Sequence, residues 1–157
     1  MKKKKIIISI VSLILIIIVT IFLFFMVQYF IFKKDINDVE MIKIDTGGYL
    51  SPTSICEINF LNNSLMYKTE DYNEIETFYT EFTDKDAEYF IKKANLYGFF
   101  NWEKSYINNN VYDGYGATIY IKFTDGSVQE THCYADFPPN YDKMAEVFYE
   151  TFGYNIL

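Results

Sequence analysis

From Ile6 to Phe32 the chain runs 27 residues without a charge, interrupted by Ser9, Ser12, Thr20 and Gln28, with Lys2 to Lys5 before it and Lys33 and Lys34 after it. At about 1.5 Å per residue, such a run outspans a hydrocarbon core of roughly 30 Å, so it predicts a tilted transmembrane helix over residues 6–32. Ile and Val are mediocre helix formers in water, but in lipid every backbone polar group must be paired within the segment. A cleaved secretory signal has a shorter apolar region that ends in small residues, and the first Ala of this chain is Ala87. The expectation is an uncleaved anchor. Lysine counts on its two sides put a tail of residues 1–5 in the cytoplasm and the rest of the chain outside, at the cell membrane.

After a short polar stem, residues 33–40, the periodicity changes to two. In residues 41–48 Ile42 and Ile44 alternate with polar neighbours before Gly47 and Gly48. In 53–60 Cys56, Ile58 and Phe60 share one face, and Asn62 and Asn63 tolerate the positive φ of a hairpin turn. A return strand over 65–69 follows. Residues 74–82 read as a further strand, rich in Thr and aromatics, with Ile75, Thr77 and Tyr79 opposite Glu76, Phe78 and Thr80; its amphipathic pattern is imperfect. Thr83 and Asp86 then form the frame of a capping box, opening a helix with Ala87, Phe90, Ile91, Ala94 and Tyr97 on one stripe and Gly98 at its end. Residues 117–134 predict a hairpin around Asp125-Gly126. Past Pro138 and Pro139, Met144, Val147, Phe148 and Phe152 lie on one face of a closing helix. Strands and helices in segregated runs predict an α+β domain over 41–157, an antiparallel sheet of five or six strands with two helices packed on one face.

Charge narrows the partners. All fourteen basic residues are Lys, and the net charge is -7. Residues 1–35 hold six Lys against one Asp, while residues 36–157 hold eight Lys against twenty acids. An acidic domain without the guanidinium fork of Arg repels phosphate backbones, so nucleic acid is not an expected partner.

The second half resembles a family of bacterial secreted and membrane-tethered domains of unknown function. The matching features are the helix running into Phe99 and Phe100, then Ser105-Tyr106, Asp113-Gly114 before a Thr-rich strand, the Gly-turned hairpin, and a Pro-containing loop leading to the last helix. The resemblance spans roughly residues 42–152. This chain has Gly47-Gly48 and Ser51-Pro52 where the family carries a Cys-Pro. What the resemblance implies is the fold and an envelope location; it transfers no catalytic residue.

Candidate chemistry is sparse. His132 and Cys133 are adjacent, but neighbouring strand residues point to opposite faces, which separates imidazole from thiol. One His and two Cys without C-x-x-C spacing do not suggest a zinc site, and no cofactor or metal is expected. Cys56 and Cys133 leave two readings open: a disulfide, or two buried thiols packed as small apolar residues. The nineteen residues from Gly98 to Gly116 show no periodicity of helix or strand, a long gap for a compact domain, and are the best candidate for a binding site. There Trp102, Tyr106, Tyr112, Asp113 and Tyr115 combine aromatic faces with a carboxylate, suited to stacking on a sugar or clamping a peptide. In the plainer reading Phe99, Phe100 and Trp102 belong to the core, and Asn108 to Asn110 form a solvated tip.

The expected function is therefore a single-pass, membrane-anchored extracytoplasmic module that binds a protein or other envelope partner. The alternative is a small cell-envelope enzyme whose active site follows no familiar pattern.

Overall fold

The computed structural model describes residues 13–24, 26, 33–48, 51–71 and 74–157. Two compact units divide between Lys33 and Lys34. In the first, residues 13–24 are helical and their large apolar side chains are exposed. Among the described residues no helix is long and apolar enough to cross a membrane. Much of the apolar run 6–32 lies outside the described residues.

The second unit is α+β. Its seven strands are β1 (Val39–Gly48), β2 (Ser51–Asn59), β3 (Ser64–Asp71), β4 (Glu74–Glu81), β5 (Ser105–Ile107), β6 (Tyr115–Phe123) and β7 (Val128–Tyr134), and its helices are α1 (Asp84–Tyr97) and α2 (Tyr141–Phe152). They form one sheet in the order β4-β3-β2-β1-β6-β7-β5. Two expectations need correction. The strand count is seven rather than five or six, because β5 occupies part of the supposedly irregular 98–116 gap and three residues are too few to show a period. The sheet is mixed rather than antiparallel, since β5 runs parallel to β7. The folded unit also starts within the expected stem: Asp35 and Asp38 cap a 3-10 turn at Ile36–Asp38, and β1 follows directly.

Register explains the layering. Ile42 sits opposite Ile58 and Ile121, and Ile44 opposite Cys56 and Ile119, so these buried residues of three strands share one face. Both helices cover that face. Phe90 of α1 lies at the centre of the core, its ring 4.8 Å from that of Phe148, 5.4 Å from Phe152 and 5.9 Å from Phe60. Such offset and tilted aromatic pairs add attraction beyond the area they remove from water. The opposite face carries Lys43, Glu57, Met66 and Tyr120, all half-buried.

Local chemistry sets the joints. Asn63, at φ 53°, turns β2 into β3, and Gly126, at φ 83°, turns β6 into β7. Thr83 and Asp86 bond each other's backbone N–H at the start of α1, and Gly98 ends it at φ 74°.

Candidate functional site

The 98–116 segment is more ordered than its composition suggests. Phe99–Asn101 form a 3-10 turn, Ser105–Ile107 are β5, and Asn108 closes a turn by accepting from the Asn110 N–H at 3.1 Å. Tyr134 then holds the far end. Its hydroxyl accepts from the Gly114 N–H at 3.1 Å and donates to the Tyr112 carbonyl at 2.8 Å.

The five predicted binding residues therefore separate. Trp102 is buried, 4.8 Å edge-on to Phe99 and stacked at 6.0 Å on Tyr141. Tyr106 is half-buried and its hydroxyl accepts from the Glu103 N–H at 3.0 Å. Tyr115 packs on Phe137 at 6.2 Å, and Phe137 packs on Tyr141 at 4.5 Å. An aromatic file thus joins Tyr115 to Trp102 and the core. Only Tyr112, 91% exposed, and its neighbour Asp113 stand free at the tip. Tyr134, Phe137 and Tyr141, which organise this end of the molecule, carried no sequence signal beyond being aromatic.

Nucleophilic chemistry finds little support. His132 is exposed, within 3.3 Å of both Thr118 and Glu130, while Cys133 is buried on the other face, as alternation requires. Burial pushes the Cys56 thiol up to about 12 and the Cys133 thiol up to about 11, keeping both protonated at neutral pH. Both are free. Their strands, β2 and β7, are separated by β1 and β6, so three spacings of about 4.8 Å place them roughly 14 Å apart, beyond disulfide reach. Of the two readings of the cysteines, the buried-thiol one describes the fold. Among the described residues no group of three or more His, Cys, Asp or Glu is placed to hold a metal ion.

The least protected surface lies at the other end of the sheet. β4 is eight residues long and lies beyond the reach of the helix layer: Ile75 is 62% exposed, Phe78 42% and Tyr79 80%. Every residue from Glu74 to Glu81 pairs with β3 without a bulge, and among the described residues β4 has no second neighbour. Its other backbone edge therefore presents unpaired N–H and C=O groups, about half of the strand's total. Beside it opens a shallow hollow of about 620 Å³, lined by Glu57, Asn59, Met66, Tyr79 and Glu81 among others. The side chains of Glu57, Glu74, Glu76 and Glu81 make no hydrogen bond or ion pair among the described residues. The imperfect amphipathic pattern of 74–82 was the sequence signal for this place, since a strand beyond the helices has no buried face to encode.

No family model matches the chain, and neither does any curated protein or solved structure.

Proposed function

We infer that the protein is a single-pass membrane-anchored module whose folded domain faces the outside of the cell and engages a protein or other envelope partner. The observation that carries this reading is residues 13–24: helical, and with large apolar side chains exposed around the helix from Leu13 to Leu23. A helix apolar all round suits a lipid environment, and the uncharged run extends from residue 6 to residue 32 between lysine clusters. The greater number of lysines before the run supports a cytoplasmic N-terminus. The exposed, unpaired edge of β4 and the free tip at Tyr112 supply surfaces for contact.

Two treatments test it. Alkaline carbonate extraction of cells that make the full chain should leave it in the membrane fraction with its N-terminal peptide intact by mass spectrometry. Protease added to intact cells should digest residues 41–157. Release by carbonate would refute the anchor, and full protection from protease would reverse the orientation.

A further inference from the structure

We propose that β4 is a docking edge for an extended basic segment of another protein, which joins the sheet as an eighth strand beside Glu74–Glu81. This rests on the reading of the domain as an interaction module. Three observations lead to it. First, β4 is long, regular and, among the described residues, unpaired on one side; it has no Pro, no Lys and no bulge, and the only feature that guards it against pairing is its glutamates, which do not repel a basic strand. Second, its two rows of side chains differ in character. Register places Ile75 and Tyr79 on the open face of the sheet, opposite Glu70 and Met66, and places Glu74 and Glu76 on the face of the helices, opposite Asp71 and Thr69. An added strand with period-two alternation would set apolar residues against Ile75 and Tyr79 and basic residues against Glu74 and Glu76. Third, no ion pair among the described residues neutralises these carboxylates. Lys68, the lysine nearest to β4 in register, is held by Glu70 at 3.3 Å, and Lys43, opposite Glu57, is held by Asp45 at 3.2 Å. Glu57 and Glu81 line the hollow next to Tyr79, where a long basic side chain reaching across β4 would find two carboxylates.

Charge also decides against a second copy as the occupant. In an antiparallel pairing of β4 with itself, the three glutamates of each strand would share one ladder, and like charges facing across a ladder are destabilising. A lysine-bearing strand gains on both counts, by main-chain hydrogen bonds and by charge. Because the charges are exposed, its binding weakens as salt rises.

The test uses the full chain in detergent micelles and a fluorescent peptide in which Lys alternates with Val and Thr, with a counterpart bearing Glu in place of Lys. Fluorescence anisotropy should show the Lys peptide bound and the Glu peptide unbound. The double variant Glu74→Lys, Glu76→Lys should weaken the Lys peptide at least tenfold and gain the Glu peptide; that gain shows the variant is folded. Two further Lys peptides, N-methylated on one or the other alternate set of amides, distinguish strand addition from mere charge attraction. One set should abolish binding and the other should leave it. Equal binding by both N-methylated peptides, or no binding of the Lys peptide to the unmodified chain, overturns the proposal. So does sedimentation showing a dimer that dissociates on the Glu→Lys change, which would make a second copy the occupant. A chain that stays in the membrane under carbonate yet binds no Lys peptide refutes strand addition and leaves the anchored module. A chain released by carbonate refutes the module reading, whatever β4 binds.

Discussion

The two edges of the sheet are finished in different ways. β5 is three residues long, and the chain ties it down at both ends: the Lys104 carbonyl accepts from the His132 N–H before it, Ile107 bridges to Ala135, the Asn108 turn follows at once, and the Tyr134 hydroxyl clamps the segment that leads into β6. Trp102, just before β5, anchors that side in the core through Phe99. β4 is eight residues long, paired on one side, and backed only at its fringe, where Phe78 approaches Tyr154 at 6.3 Å. An edge of three residues offers few unpaired groups and needs no other safeguard. An edge left open must be guarded by charge, used by a partner, or both, and the glutamates of β4 serve either purpose.

The largest expected contrast comes from truncating one aromatic at each edge. Trp102→Ala removes a buried ring at the β5 side and should lower unfolding free energy by about 3–5 kcal/mol in urea titrations. Tyr79→Ala on β4 should change it by about 0.5 kcal/mol or less, because its ring is solvated. Comparable losses at the two sites would mean that β4 is as covered as β5, and the contrast would fail.

A smaller effect sharpens the account of how β4 hands over to the helix layer. Asp86 accepts from Thr83 through side chain and backbone, bonds that hold its carboxyl below the usual carboxylate value. A lowered folded pKa means that the stabilisation is fully present above the unfolded carboxylate value and is lost as pH falls through the lower folded one. Asp86→Asn should therefore make the acid side of a plot of melting temperature against pH shallower, with β4 binding unchanged. An unaltered acid limb would remove the capping box from the description of this junction.

Much of this architecture could be read from the chain. The period-two runs of β1 to β3, the Asp125-Gly126 hairpin, the Thr83/Asp86 cap and the Phe148 face of α2 each encode a local rule that tertiary packing leaves intact. β5 was hidden because Ser105–Ile107 is too short for any pattern, and its parallel pairing with β7 is a long-range fact. The site was harder still. Composition drew attention to Trp102, Tyr106, Tyr112, Asp113 and Tyr115 as a group, but aromatic rings look alike in sequence whether they pack or project, and here the core takes Trp102 while Tyr112 remains in solvent. Conversely, β4 was recognised as a strand but not as an edge, since strand order depends on which partners the neighbouring strands have already taken.

The central claim, that β4 is the open edge and receives a strand, is tested most directly by hydrogen exchange of the full chain followed by NMR, with and without the Lys peptide. In the free chain, alternate amides across Glu74–Glu81 should exchange freely while their neighbours, bonded to β3, are protected. Saturating peptide should slow the free set at least tenfold and leave Ser105–Ile107 unchanged. Uniform protection of β4 before peptide is added, or slowing confined to β5, would contradict the account.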